Sequence, residues 1–220
     1  MKIFIVIPAF NEQPRLPMLL SKLRSVFPLS RVVIVDDGSE APLEIPRRYP
    51  VTLLRHQLNL GKGAAMKTGA DYAFASGADA VIYMDADLQH DPKEIPVFIK
   101  HLQQGTDLVF GSRTYSAGDP HDRHLGNFLA RIYCRLVFGV RIRDILSGYR
   151  ALTRKAYLLS KWQSDRYGVE TEMIARFSRH QHKLKWVEIP IDTIYINKYK
   201  GISPADSVKI LANSLWWKLF

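Results

Sequence analysis

Short apolar runs, each closed by a polar or glycine-rich cluster, punctuate the first half of the chain. Lys2–Ile7 reads Lys-Ile-Phe-Ile-Val-Ile and runs into Pro8-Ala9-Phe10-Asn11-Glu12. Arg31–Val35 ends in Asp36-Asp37-Gly38-Ser39, and Val51–Arg55 leads to Asn59-Leu60-Gly61-Lys62-Gly63. Asp79–Met84 ends in Asp85-Ala86-Asp87-Leu88-Gln89, and Asp107–Phe110 ends in Gly111-Ser112-Arg113. Most of these runs are continuously apolar, the pattern of strands covered on both faces. Helix-like segments follow most of them. The order strand, helix, strand predicts an α/β fold with a mostly parallel central sheet flanked by helices. In such a sheet ligands bind at the carboxyl ends of the strands, where all of these clusters fall.

Asp85 and Asp87 are the sharpest chemical signal among them. Two carboxylates one residue apart at a strand end leave the sheet edge together. They suit a hard divalent cation that keeps open positions for water and phosphate. Such a cation neutralises a diphosphate leaving group, which points to chemistry on an activated nucleotide. The bland alternative is a solvated strand-end turn. Gln89 adds a carbonyl that serves as a metal ligand or phosphate partner. Asp91-Pro92 with Glu94 reads as a helix start. Gly61-Lys62-Gly63 brings backbone N–H groups and a cation to a helix entrance, either for phosphate or as a structural turn. It is not a full dinucleotide fingerprint, because position 66 is Met.

Taken in order, the five clusters and Asp144-Ile145-Leu146-Ser147-Gly148-Tyr149-Arg150 resemble glycosyltransferase family 2, most closely its dolichyl- or polyprenyl-phosphate mannosyltransferase branch. The resemblance covers roughly residues 2 to 190. It implies the nucleotide-diphospho-sugar transferase fold of GT-A type and inverting glycosyl transfer from a nucleotide sugar. It implies that Pro8, Phe10 and Glu12 line the nucleoside pocket, with Asp36 and Asp37 on base and ribose. A core aromatic at Phe10 and an acidic turn at Asp36-Asp37 are the structural alternatives. Asp85, Ala86, Asp87 and Gln89 then form the donor-phosphate group, with Mg2+ or Mn2+ held by Asp85, Asp87 and Gln89. Arg113 faces the donor or acceptor phosphate, a task suited to a bidentate guanidinium, with a surface salt bridge as the structural alternative. Asp144 is the first candidate for a general base should the acceptor be a hydroxyl. Glu170 and Glu172 are second choices, and a cap or an Arg150 partner is the structural alternative for Asp144. Ser147, Arg123 and Arg131 are acceptor-site candidates. The family's basic loop after Glu188-Ile189-Pro190-Ile191 carries an arginine that has no counterpart here. Lys198 and Lys200 stand in as donor-phosphate candidates, which leaves GDP-mannose and a UDP-hexose both open.

Composition divides the chain further. Residues 1–110 hold 12 Lys and Arg against 12 Asp and Glu, whereas residues 111–220 hold 19 against 9, so the net +10 lies entirely in the second half. A basic half suggests a polyanionic partner: nucleic acid, anionic lipid or phosphate ligands. With 47% apolar residues over 220 positions, a single well-cored domain is expected, a donor half (1–110) followed by a basic, acceptor- and membrane-facing half (111–220). The lone Cys134 excludes an internal disulfide and fits a reducing compartment. No run is long enough to span a membrane and no leader pattern precedes Lys2, so a peripheral place on the cytoplasmic face of a membrane is expected.

Two amphipathic segments carry that expectation. Over Arg123–Val140, apolar residues at Leu125, Phe128, Leu129, Ile132, Tyr133, Leu136, Val137 and Val140 form a helical stripe, with Arg123, Asn127, Arg131 and Arg135 on another face. Pro204–Phe220 gathers Leu215, Trp216, Trp217, Leu219 and Phe220 at its end, and paired Trp suits an interface. Helices packed on the core are the alternative for both. The partners expected are therefore a nucleotide-sugar donor, a polyprenyl or dolichyl phosphate acceptor and an anionic membrane surface, with a membrane partner subunit left open. A non-catalytic lipid- or nucleic-acid-binding module explains the charge but not the acidic strand ends, which repel phosphate unless metal is bound. A sugar-nucleotide-forming nucleotidyltransferase would open with a glycine-rich loop, and Pro8-Ala9-Phe10-Asn11-Glu12 is not one.

Overall fold

The computed structural model describes residues 1–114, 121–165, 168–192, 194, 213, 214, 216 and 217; in the helix from His121, side chains are described at Phe128 and from Ala130 onward. The side chain of Arg123, Lys198, Lys200 and most of the segment 204–220 lie outside the described residues.

Seven strands form one sheet in the order β3-β2-β1-β4-β6-β5-β7. They are β1 (Ile3–Ala9), β2 (Val32–Asp36), β3 (Thr52–Arg55), β4 (Ala80–Tyr83), β5 (Leu108–Arg113), β6 (Arg150–Thr153) and β7 (Trp186–Ile191). All pairings are parallel except those of β6, which runs antiparallel to both β4 and β5. The continuous apolar runs of β1, β2 and β4 are buried on both faces, as their sequence predicts. Alternate residues feed two separate cores. Phe4 and Val6 face one, with Met66, Tyr157 and Trp162; Ile3, Ile5 and Ile7 face the other, with Leu16, Leu20 and Phe98. β3 is the exception. As the edge strand it is only half covered, and Leu53 is exposed.

Helices α1 (Leu16–Arg24) and α3 (Ile95–Gln103) close the second core through Leu16, Leu19, Leu20 and Leu23, and through Ile95, Phe98 and Leu102. Asp91 accepts a hydrogen bond from Lys93 N at 3.1 Å and Pro92 follows it, so the expected helix-entry signal is used there as a short 3-10 turn leading into α3. Helix α2 (Lys62–Ala75) packs on the first core, beside α5 (Arg154–Ser160) and α6 (Val169–His180).

Helix α4 (His121–Phe138) occupies the first amphipathic segment. It stops two residues before Val140 because Gly139 takes a left-handed φ of 70° and donates its N–H to Arg135 O. Its face is divided. Cys134 and Phe138 enter the core, whereas Phe128, Ile132 and Leu136 point outward, Leu136 at 79% exposure. Burial pushes the Cys134 thiol up to about 12, so it is a packing residue and not a reactive one. The two tryptophans near the end also part ways. Trp216 is 61% exposed, but Trp217 is buried in the first core, so the expected interfacial Trp pair reduces to Trp216.

Candidate active site

Because β1, β2, β3 and β4 are parallel neighbours, their carboxyl ends lie along one edge. The register fixes the spacing: Ala9 pairs with Asp36, Asp36 with Arg55, and Val6 with Tyr83 two residues before Asp85. β6 enters the sheet from that same edge, since its first residue Arg150 pairs with Tyr83 and with Phe110. An antiparallel strand thus delivers the Asp144–Tyr149 loop to the carboxyl ends of β4 and β5.

At the end of β1, Phe10 stands 42% exposed. Glu12 is buried and paired with Arg15 at 2.5 Å. Pro8 lies in β1 itself, half-buried. Asn11 adopts a left-handed φ of 56°, and its N–H donates to Ser39 Oγ at 2.9 Å, tying the β1 and β2 ends together. Asp36 is buried and accepts from Ser39 N, Leu43 N and Arg55 Nη1 at 2.9, 3.1 and 2.8 Å. Burial works to raise its pKa, but those hydrogen bonds prevail and hold it below the usual carboxylate range. Asp37 accepts from Leu60 N at 3.0 Å and Gly61 N at 2.7 Å, with His56 Nδ1 at 2.7 Å. Both carboxylates therefore brace the loops that follow β2 and β3.

The N-terminus of α2 is not an open phosphate cradle. Gly61 N–H is spent on Asp37, Ala64 N–H donates to Asp165 O, and Trp162 Nε1 donates to Gly63 O at 2.9 Å. The segment 162–165 covers the helix start, so the structural reading of that turn holds for its backbone. The Lys62 side chain has another role. Its Nζ lies 2.7 Å from Asp85 Oδ1 and 2.9 Å from Glu170 Oε1.

Asp85 and Asp87 face opposite electrostatic fates. Burial pushes both up, but the Lys62 ammonium and His90 bring Asp85 below its ordinary value. Asp87 stays raised, by burial and then by the negative charge of Asp85. Leu88 between Asp87 and Gln89 sits at φ 67°, a left-handed turn uncommon for a bulky residue, and strain of this kind gathers at functional sites. The turn lets Gln89 donate to Asp87 from both its backbone N (3.0 Å) and its side-chain amide (2.9 Å). The Gln89 side-chain carbonyl then remains as its acceptor end. Asp85 N–H donates to His90 Nδ1 at 3.0 Å while that ring stacks on Tyr149 at 4.7 Å, and burial first of all holds the imidazole below its usual pKa. Among the described residues no group of three or more His, Cys, Asp or Glu side chains gathers as a metal cage. What this edge offers is a repelling carboxylate pair with a carbonyl beside it. That donor set suits an oxygen-loving dication completed by water and phosphate.

Arg113, at the end of β5, is gripped by Asp144. Its Nε and Nη2 donate to the two oxygens of Asp144 at 2.6 and 2.9 Å, and its backbone N adds a third bond at 3.1 Å. Leu146 N donates to Asp144 as well, and Asp144 is 1% exposed. Asp144 is thus the partner of Arg113, not of Arg150. Arg150 is itself buried and donates to the carbonyls of Ile145, Ser147 and Glu170, shaping the loop from beneath. Ser147 is buried in that loop, and its Oγ accepts from Tyr149 N. Glu172 is fully buried and caps Gln163 N and Ser164 N while pairing with Arg176. Arg113, Arg131 and Arg143 together line a cleft of about 220 Å³ beside Glu188. A hollow of about 310 Å³ around Arg24 and Pro50 lies at the opposite, amino edge of the sheet, and no carboxylate lines it. Sequence reading did not single out Arg143 or Glu188. Glu188 accepts from the backbone N of both Arg143 and Asp144, contacts 45 and 44 residues apart that no local pattern signals.

A parallel sheet whose carboxyl edge gathers an acidic pair, a clamped arginine and a basic cleft defines a nucleotide-sugar transferase of GT-A architecture. The family model "Glycosyl transferase family 2" matches residues 4–159, and the chain belongs to that family. The undecaprenyl-phosphate mannosyltransferase of Micrococcus luteus is 31% identical over 87% of this chain and 83% of its own length. A UDP-N-acetylglucosamine–dolichyl-phosphate N-acetylglucosaminyltransferase from Methanococcus voltae is 29% identical over 88% of this chain and 86% of its own length. The crystal structure of glucosyl-3-phosphoglycerate synthase from Mycobacterium tuberculosis, in complex with Mn2+, UDP and glucosyl-3-phosphoglycerate, shares the fold, with a TM-score of 0.71 at 20% identity over 99% of this chain and 78% of that one.

Proposed function

We propose that this glycosyltransferase moves a hexose, with inversion, from a nucleotide-diphosphate sugar to a polyprenyl or dolichyl phosphate. The observation that carries the choice of acceptor is the engagement of Asp144. A hydroxyl acceptor needs a carboxylate to take its proton. The carboxylate at the family position is instead closed by the Arg113 fork and two backbone N–H groups. The second choices fare no better, since Glu170 is tied to Lys62 and Glu172 to Arg176. A lipid phosphate arrives already ionised and needs no base. The lipid phosphates in the names of the Micrococcus and Methanococcus relatives support the same reading.

Asp85, Asp87 and the Gln89 carbonyl would hold Mg2+ or Mn2+, which when bound supplies positive charge to the diphosphate leaving group. Phe10 offers an exposed aromatic face for the base at the end of β1. Asp144 fixes the guanidinium of Arg113 so that its charge is aimed before substrate arrives. Arg131 and Arg143 extend the positive field along the cleft for the acceptor phosphate. Mannose on a guanine carrier and a hexose on a uridine carrier both fit these groups. We expect transfer from GDP-mannose or a UDP-hexose to polyprenyl phosphate and none to the matching polyprenol. We also expect that Asp144→Asn slows transfer without moving the acid limb of the pH–rate profile. Equal use of the polyprenol, or loss of that limb in Asp144→Asn, would overturn the lipid-phosphate reading.

The outward face of α4 supports work at a membrane surface. Phe128, Ile132 and Leu136 recur every four residues and are exposed, with exposed Arg131 and Arg135 beside them. No helix among the described residues is long and apolar enough to cross a membrane. The exposed apolar and basic face of α4 is what supports a peripheral seat, placed in this reading on the cytoplasmic face. The full chain is expected to cosediment with anionic vesicles. Binding should weaken as salt rises, because surface attraction is screened beyond about 8 Å at physiological ionic strength. A salt-resistant part should remain, at about 25 cal/mol per Å² of apolar surface buried. Phe128→Ser with Leu136→Ser should reduce that part, and Arg131→Glu with Arg135→Glu the salt-sensitive one. A wild type that stays in the supernatant at low salt would count against this surface.

A further inference from the structure

We propose that Lys62 is the resident counter-cation of Asp85, the charge that an incoming divalent ion has to displace, and that Glu170 is the carboxylate that retains it after displacement. This rests on the reading of Asp85 and Asp87 as the metal pair. The geometry is that of a shared cation. One ammonium lies between two carboxylates of different elements, 2.7 Å from Asp85 and 2.9 Å from Glu170. The site is tightly walled. A side-chain carbon at Gly148 would come within 2.8 Å of Lys62 Nζ and 2.9 Å of Asp85 Oδ2, so the loop backbone lies against the pair.

Each partner makes sense only with the others. Glu170 is buried in the first turn of α6, and Lys62 is its ion-pair partner; a buried carboxylate left alone is costly. Lys62 Nζ, at 2.7 Å from Asp85 Oδ1, sets a positive charge against the carboxylate that Asp87 repels. Lysine fits a role that requires leaving. It is a point charge on a flexible stem with three donors, without the planar fork that locks Arg113 onto Asp144. Losing Asp85 to a metal, Lys62 keeps Glu170 and is freed toward phosphate oxygens at the same edge. Metal alone should therefore bind weakly, and tighter once donor phosphate rewards the released lysine.

The test is Mn2+ binding, without nucleotide, to the purified full chain by calorimetry or by loss of the free-ion electron paramagnetic resonance signal. Lys62→Met removes the competitor and should tighten binding roughly ten- to a hundredfold, the range carried by one charge-assisted hydrogen bond. Glu170→Gln leaves Lys62 with Asp85 alone and should weaken binding several-fold. In the Lys62→Met background, Glu170→Gln should have little further effect, which separates action through Lys62 from a general loss of negative charge. Lys67→Met, on the exposed face of α2, controls for long-range charge and should change little. Should Lys62→Met not fold, Glu170→Gln decides: unchanged or tighter binding there overturns the proposal. Lys62→Met that binds no tighter than wild type overturns it too, and leaves the metal reading standing. Absence of Mn2+ binding in every variant, with transfer unaffected by chelation, overturns the metal reading and this proposal together.

Discussion

Asp87→Asn is expected to lower turnover by about a hundredfold or more while leaving the fold intact. The size follows from mutagenesis of comparable electrostatic groups, where losing one preorganised stabiliser of developing charge costs this much. The tolerance of the fold follows from the local bonds. Asp87 accepts from Gln89 N and Nε2, and an asparagine oxygen keeps one of these while its size is unchanged. Stability should even rise slightly, since Asp87 is held above its ordinary pKa by burial and by Asp85, and that opposition disappears with the charge. Turnover in saturating Mg2+ or Mn2+, together with a thermal melt, checks both halves. Near-normal turnover would remove Asp87 from the active site.

Gly148→Ala is expected to cost about a hundredfold in turnover with only a small change in Tm. Its new methyl would meet Lys62 Nζ at 2.8 Å and the two Asp85 oxygens at 2.9 and 3.2 Å. These are the far ends of flexible side chains, so they yield without breaking the core. What they yield is their position, and a displacement on the order of 1 Å at reacting groups is worth about a hundredfold in rate. Gly139→Ala should give the opposite profile. Among the described residues beyond its own chain neighbours nothing lies within 4 Å of an added side-chain carbon there, but its φ is 70°, so the cost is strain of about 1–2 kcal/mol with turnover unchanged. Similar turnover in the two variants would refute the close-approach argument.

The sequence made the first half readable because its signal is local. Apolar runs closed by Asp36-Asp37-Gly38-Ser39 or Asp85-Ala86-Asp87 announce both a buried strand and the residues at its end. β6 escaped this reading. Arg-Ala-Leu-Thr is short, opens with a charge and inserts against the grain of the sheet, and its Arg150 is buried by virtue of three carbonyls that only the folded loop brings together. The ion pairs escaped for a related reason. Arg113 and Asp144 are 31 residues apart, and Lys62 and Glu170 lie in different halves of the chain. Each residue type was visible, but which carboxylate neutralises which cation depends on tertiary contact. The α4 stripe was legible as a period, but not as a division between core and exterior, because an amphipathic pattern does not say how wide its buried face is.

The lone antiparallel strand has a consequence for how such proteins diversify. β5 leaves the sheet and β6 re-enters it at the same edge, so everything between Thr114 and Tyr149 is one excursion with both ends anchored side by side. The free energy of closing such an excursion grows only slowly with its length. Its outer part, α4 and the arginines up to Arg143, can vary as long as Cys134 and Phe138 keep their core contacts, whereas Asp144 and Gly148 stay tied to Arg113, Lys62 and Asp85. The fold is in this sense a fixed sheet edge carrying an insert that is replaceable in its outer part. On the proposed acceptor role of the cleft, that outer part transplanted from a relative with a different acceptor is expected to bring its acceptor preference along.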